Sequence, residues 1–273
     1  MNAVVLLRAV IDESATGGVY TGPWVLDGAS QVAVGLARQW RQTAPGSRIV
    51  GIAIGPPEWE PALRGALMLE CDEVMRGWSD AMSTADLLTV ARAIASSVPA
   101  ETAIVIGGES SSDHGTGVLP AAIAENLGWP YLGDVTTVVA EECGTTLTVR
   151  RDGGLRIRCR TASPVVVAAA RMPPPGYYPR VARVIAARKV GIPWFDLGFF
   201  ESAEQRLEVV GYGPAKPLTR HLLQPSAGAN PAQRLRQLMS GGVASRGAQN
   251  MGGASDDTAR RLADLLVSEG FVS

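Results

Sequence analysis

The run Gly107-Gly108-Glu109-Ser110-Ser111-Ser112-Asp113-His114-Gly115-Thr116-Gly117 holds the chain's densest set of residues able to do chemistry. Glycines let a backbone approach a ligand closely, and free amides at the start of a helix attract anions. The hydroxyls of Ser111, Ser112 and Thr116 add hydrogen-bonding capacity. The residue types favour anion or nucleotide binding over an ordinary capped loop. The run has no Gly-Lys-Ser/Thr, so it is not a P-loop, and no GxGxxG follows the first apolar segment. Gly108-Glu109-Ser110-Ser111-Ser112 approaches the GxSxG of a nucleophile elbow but ends in serine. Only His221 follows it as a possible base, in a stretch without clear periodicity, so hydrolase chemistry is not expected. His114 stands beside Asp113, yet adjacent loop side chains seldom face each other, and an exposed or ligand-facing imidazole is expected. Ser240-Gly241-Gly242-Val243-Ala244-Ser245 approaches the pyrophosphate loop of ATP pyrophosphatases. It carries Ala244 where aspartate is needed and lies far from the first strand, so chance explains it.

The elements around the serine-rich run alternate two hydrophobic periods. Val4 to Val10 reads as one buried strand. Residues 29–42 switch to helical spacing, with Val32, Ala33, Leu36 and Trp40 on one face. Arg48 to Ile54 is a second strand, stopped by Gly55-Pro56-Pro57, and a helix follows with Ala62, Leu63, Ala66 and Leu67 inward. Glu73 to Met75 is a short third strand. Ser83 with Asp86 resembles a capping box opening a helix through Leu87, Leu88, Ala91, Ile94 and Ala95. Ala103 to Ile106 is a fourth strand, with a helix near 117–127. This alternation predicts an α/β fold: an open, mainly parallel, twisted sheet with helices on both faces, Rossmann-like in kind. Such sheets bind ligands at the carboxyl ends of their strands, so the loops after Val10, Ile54 and Ile106 are the ones to examine.

The second half changes character. Tyr131 to Val139, Thr145 to Arg150 and Leu155 to Arg160 read as strands joined by hairpins, with Asp152-Gly153-Gly154 as a turn. Val165 to Ala170 is another buried strand. The stiff run Met172-Pro173-Pro174-Pro175-Gly176-Tyr177-Tyr178-Pro179 precedes a basic helix with Arg180, Arg183, Arg188 and Lys189. Residues 191–230 read as extended and irregular, 241–254 as a flexible linker, and Asp256 to Ser268 as a helix through Leu262, Leu265 and Leu266. Two parts are expected: a nucleotide-binding α/β domain with its hairpin extension over 1–190, and an irregular arm with terminal helices over 191–273 that wraps a partner.

Composition narrows the classes. With 46% hydrophobic residues in 273, the chain can bury a large core. A formal charge of -1 and 5% aromatics argue against a nucleic-acid surface. Cys71, Cys143 and Cys159 have no CxxC spacing; they are expected reduced and mostly buried, with no metal site. No signal peptide or membrane-span pattern is seen, and a cytoplasmic location is expected.

Several blocks, in order, resemble the beta subunit of electron transfer flavoproteins. They are Val5-Leu6-Leu7-Arg8-Ala9-Val10-Ile11-Asp12; Gly55-Pro56 with Leu63-Arg64-Gly65-Ala66-Leu67; and Leu127-Gly128-Trp129-Pro130. Arg151-Asp152-Gly153-Gly154-Leu155 and Ser163-Pro164-Val165-Val166-Val167 follow, then Arg171, Pro175, Tyr177 and Ala186-Ala187-Arg188-Lys189. The resemblance covers about residues 3–195.

The resemblance implies an adenine-nucleotide α-hydrolase-like fold and a partner alpha subunit that carries most of the FAD contacts. It implies AMP, or a second FAD, in this subunit. It also implies electron shuttling from flavin dehydrogenases to a quinone reductase or another acceptor, with no substrate chemistry of the subunit's own. Carried over by position, Leu6 lies beneath the nucleotide, and Asp27, Gly28 and Ser30 fall at a helix start beside it. Ile54 and Gly55 flank the adenine, and Asp113, His114, Gly115, Thr116 and Gly117 meet phosphate. Met172 takes the place of a docking leucine, in a loop with Pro173, Pro174 and Tyr177. The chain departs from the family pattern at Asp27-Gly28, where the family has asparagine-proline, at Gly108-Glu109-Ser110 and at Glu13. The competing reading is a stand-alone adenine-nucleotide-binding protein of the universal-stress type.

Overall fold

Short apolar runs become the inner strands of one nine-stranded sheet in the computed structural model, which describes residues 2–12, 23–171, 177–197, 232 and 255–268. In chain order the elements are β1 (Asn2–Leu6), β2 (Ala9–Ile11), β3 (Trp24–Leu26), α1 (Gly28–Thr43), β4 (Arg48–Ile54) and α2 (Glu60–Met68). Next come β5 (Glu73–Trp78), α3 (Leu87–Ser97), β6 (Thr102–Gly108), α4 (Leu119–Leu127), β7 (Tyr131–Glu141), β8 (Gly144–Arg150) and β9 (Arg156–Thr161). The chain then forms β10 (Val165–Ala169), α5 (Val181–Lys189), β11 (Trp194–Asp196) and α6 (Ser255–Ser268). Residues 1–210 and 211–273 form two separate units, and α6 belongs to the second.

The sheet order is β11-β5-β4-β1-β6-β10-β7-β8-β9. Every pair from β11 to β7 is parallel, while β7-β8 and β8-β9 are antiparallel. From β1 the chain steps outward to β4 and β5, then crosses back to β6 on the other side of β1. That reversal makes the carboxyl ends of β1 and β6 the switch point of the sheet, the place where open α/β sheets take ligands.

Strand alternation sorts the core into two layers. Ala3 and Val5 face a layer with Val32, Ala33, Leu36 and Trp40 of α1 and Leu63 of α2. Val4 and Leu6 face the opposite layer with Ala91 and Ile94 of α3 and Ile123 of α4. Helices on both faces explain why these strands are apolar throughout.

Five local expectations are corrected. Val4 to Val10 is not one strand: β1 ends at Leu6, and Ala9–Ile11 pairs antiparallel with Trp24–Leu26 in a separate ribbon. The break falls where the Arg8 amide turns to Ser30 Oγ and the Arg8 carbonyl accepts from Asp27 N–H. Ser83 does not cap α3; Asp86 does, its carboxylate accepting the Thr89 amide at 2.8 Å, while Ser83 lies in a preceding 3-10 turn. Leu88 is exposed because it lies about 100° around the helix from Leu87, away from the Ala91 and Ile94 stripe. Of the cysteines only Cys71 is buried; Cys143 is exposed and Cys159 half-buried on the hairpins. Trp194–Asp196, in the stretch expected to be irregular, forms the edge strand β11 beside β5. Expectations on Glu13, Met172, Pro173, Pro174, His221 and the 241–254 linker lie outside the described residues.

Candidate functional site

The carboxyl ends of β1, β4 and β6 bring together most of the strand-tip residues expected from sequence. Leu6 closes β1 and Ile54 closes β4; both are buried among apolar neighbours. Leu6 also packs under β6, since a Cβ on Gly107 would lie 3.0 Å from its Cδ1. Gly108 lets α1 begin directly against β6, because a Cβ there would lie 2.9 Å from the Ala29 backbone.

Asp27 precedes α1 in the N-cap position but does not cap it. Its side chain turns to the serine-rich loop, where Oδ1 accepts the Ser112 amide at 3.3 Å and the Ser112 hydroxyl. The residue is 1% exposed, and Oδ2 has no hydrogen-bond partner among the described residues. Ser30, one turn inside α1, accepts the Arg8 amide at 2.9 Å.

Arg8 crosses over the strand tips. Its Nε donates to Asp113 Oδ2 at 2.9 Å, and its guanidinium lies 5.1 Å from the Trp59 ring centroid. Burial pushes the Asp113 carboxyl up, but the Arg8 hydrogen bond and charge, with Ser111, outweigh it and hold the group at about 2. Trp59 covers Gly55 closely: a Cβ on Gly55 would fall 2.2 Å from the indole. The Gly55 face is therefore filled by the chain's own aromatic ring.

His114, Gly115 and Thr116 are exposed at the loop crest. Gly115 and Gly117 have φ of +63° and +66°, a region that glycine enters without strain. Gly117 also backs onto the Glu109 carbonyl, which a Cβ would approach to 2.7 Å. Glu109 ties the loop to the end of β10, its carboxylate accepting the Arg171 amide at 2.7 Å.

Tyr177 has contacts of its own. Its hydroxyl donates to Glu70 Oε1 at 2.7 Å, and the Arg38 guanidinium lies 3.6 Å from its ring centroid. Neither neighbour belongs to the strand-tip group.

Arg8 and Trp59 were not among the site residues expected from sequence, and Ser112 was expected to bond a ligand and not Asp27, yet all three organise this site. A basic residue interrupting the apolar run Val4 to Val10 was the available signal for Arg8. Trp59 and Ser112 act through long-range contacts that no local pattern announces.

The site fits an adenylate in part. Close-approach glycines, an uncapped α1 start and the Arg8 cation suit it. Against that, Asp27 already engages the Ser112 donors, and Asp113 already engages Arg8. The orphaned Asp27 Oδ2 can accept from an N–H or O–H, such as a ribose hydroxyl or an amine, and repels a phosphate oxygen. Among the described residues there is no acidic, histidine or cysteine group able to hold a metal ion, and no helix is long and apolar enough to cross a membrane.

A family model described as "Electron transfer flavoprotein domain" matches residues 19–193. The chain is similar to a protein of Bacillus subtilis named "Electron transfer flavoprotein subunit beta", 25% identical over 255 residues, 88% of this chain and 96% of the relative. The protein of the same name in Mycobacterium leprae is 30% identical over 203 residues, 69% of this chain and 76% of the relative. That of Syntrophomonas wolfei is 27% identical over 185 residues, covering 67% and 72%.

Proposed function

This chain belongs to the electron transfer flavoprotein family as a divergent beta-type subunit, and we propose that it works as a cytoplasmic electron carrier paired with a flavin-carrying alpha subunit. The observation that carries the reading is the family match over residues 19–193, which runs through α1, the Gly55 turn and the serine-rich loop. In this reading electrons pass from flavin dehydrogenases to a quinone reductase or another acceptor. FAD, held mainly by the alpha subunit, supplies the redox chemistry when bound. This subunit's residues position and screen rather than transform a substrate.

A second nucleotide, AMP or FAD, belongs at the β1–β6 switch point. Leu6 and Ile54 provide its apolar floor, Asp27 Oδ2 accepts a donor group, and Arg8 offers a cation if it exchanges Asp113 for a phosphate. His114, Gly115, Thr116 and Gly117 form the rim. The docking role expected of Met172, Pro173, Pro174 and Tyr177 belongs to the same reading. Tyr177, held on Glu70 and Arg38, fixes the chain just beyond that loop.

Co-expression with the flavin-carrying subunit tests this. A yellow complex with a flavin absorption band, and FAD with or without AMP on extraction, is the expected result. A colourless chain that stays apart from that subunit and binds ATP or AMP as a homodimer would replace the reading with the universal-stress one.

A further inference from the structure

The serine-rich loop after β6 is fastened across the strand tips by two neighbouring residues. Ser112 donates its amide, at 3.3 Å, and its hydroxyl to Asp27 Oδ1, just before α1. Asp113 accepts Arg8 Nε on its Oδ2 at 2.9 Å, just beyond the end of β1. Among the described residues, no other hydrogen bond ties residues 110–116 to the rest of the chain. Residues 112–116 are exposed. Glu109, at the base of the loop, is fixed separately, by its amide on the Ala169 carbonyl and its carboxylate on the Arg171 amide. A segment with so few attachments opens locally at low cost.

Neither fastening is built as a permanent joint. Asp27 is 1% exposed, yet its Oδ2 has no partner among the described residues, so the contact leaves a buried carboxylate half satisfied. The Arg8 and Asp113 side chains are 32% and 31% exposed, so water and salt weaken their pair. Arg8 does not need Asp113 to stay in place. Its amide is fixed on Ser30 Oγ at 2.9 Å, and its guanidinium lies 5.1 Å from the Trp59 ring centroid. When Asp113 leaves, a positioned cation therefore remains at the switch point. Asp113 offers that cation one carboxylate oxygen, whereas a phosphate offers more charge and two oxygens to the guanidinium fork. The Asp113 carboxyl is held at about 2, so it stays charged at neutral pH and only a competing anion can take its place.

We propose that residues 110–116 form a lid over the strand tips and that Asp113 is its internal anion, holding Arg8 until the phosphate of a nucleotide displaces it. This rests on the nucleotide reading above and adds a control to it. The free chain is self-inhibited, its apparent affinity is lowered by the fraction of closed lid, and a nucleoside without phosphate cannot compete for Arg8.

The experiment titrates AMP and adenosine by calorimetry into the full chain as wild type, Asp113→Asn and Arg8→Met, and follows amide hydrogen exchange over residues 109–117. Asp113→Asn should raise AMP affinity by on the order of tenfold and adenosine affinity by much less, because only the phosphate competes with Asp113. Arg8→Met should abolish any advantage of AMP over adenosine. Exchange over the loop should quicken in Asp113→Asn without ligand, and in wild type when AMP binds. Thermal unfolding checks that each chain is folded, and the Asp113→Asn arm decides the question even where Arg8→Met is unstable. Equal gains for AMP and adenosine, or no gain for either, would overturn the exchange of anions at Arg8. Quicker loop exchange without a gain in AMP affinity would reduce Asp113 to a loop fastening and also overturn it. No binding of either ligand to any of the three chains would remove the nucleotide site together with the lid, and leave the two-subunit reading to the test of the coloured complex.

Discussion

Arg8 is held by its amide on Ser30, its guanidinium on Asp113 and its stacking near Trp59. The depressed Asp113 value of about 2 follows from that contact overcoming burial. An unfolded aspartate titrates near 3.9, so the pair contributes stability above roughly pH 4 and loses it as the pH falls through about 2. The two side chains are 32% and 31% exposed, so salt screens much of the interaction. In Arg8→Met the main counterweight to burial is lost while Ser111 and the His114 amide remain, so Asp113 should titrate clearly higher than in the wild type. Carboxyl-detected NMR titration reads this directly; an unmoved Asp113 would show that Arg8 does not set its charge. Asp27→Asn keeps an oxygen for Ser112 and removes the negative charge. AMP affinity should then rise by on the order of tenfold, since a nearby unit charge in a partly screened site costs at least this much. Calorimetry showing equal or weaker binding would mean that the phosphate does not approach Asp27.

At the scale of elements, α3 and α1 use similar acidic residues in opposite ways. Asp86 accepts the Thr89 amide and closes the first turn of α3, so Asp86→Ala should cost ~1 kcal/mol in a urea melt, with Ser83→Ala near neutral. A larger loss from Ser83→Ala would restore the capping-box assignment. Asp27 instead leaves α1 uncapped and is turned to the serine-rich loop. The tight packing of Gly108 on Ala29 sets this choice, because it brings the start of α1 within reach of Ser112. One residue type thus serves as a helix cap where only local contacts compete, and as a loop anchor where a second strand tip is close.

Across the first unit, the core and the hairpin end of the sheet protect cysteines very differently. Burial pushes the Cys71 thiol up to about 12, with Asp72 adding to the effect, whereas Cys143 lies open on the β7–β8 hairpin. The thiolate is the reacting form, so a disulfide reagent at pH 8 should label Cys143 quickly and Cys71 only after denaturation. Rapid labelling of Cys71 in the native protein, seen by peptide mass analysis, would mean that the layer between α1, α2 and the sheet opens readily. The antiparallel end of the sheet has one face in the core and one outward, which is why it, and not the doubly covered parallel part, can carry the exposed Arg156, Arg158 and Arg160 of β9.

The alternating periods of residues 1–127 determined the α/β class, the parallel sheet and the loops at which a ligand belongs, because a strand covered on both faces must be continuously apolar and a covering helix must carry one apolar stripe. Arg48–Ile54 was legible to the residue from its apolar run, and the Asp152-Gly153-Gly154 turn from its glycines, since Gly153 and Gly154 both adopt positive φ. The break at Leu7–Arg8 was not legible, since an apolar run reads alike whether it continues in one sheet or leaves for another ribbon. Nor were the roles of Arg8, Trp59 and Ser112. Arg8 and Asp113 are 105 positions apart, and Asp27 and Ser112 are 85 apart. Only the crossover that returns β6 to the side of β1 brings those side chains together, so side-chain pairing at the strand tips is a property of the topology and not of any stretch of chain.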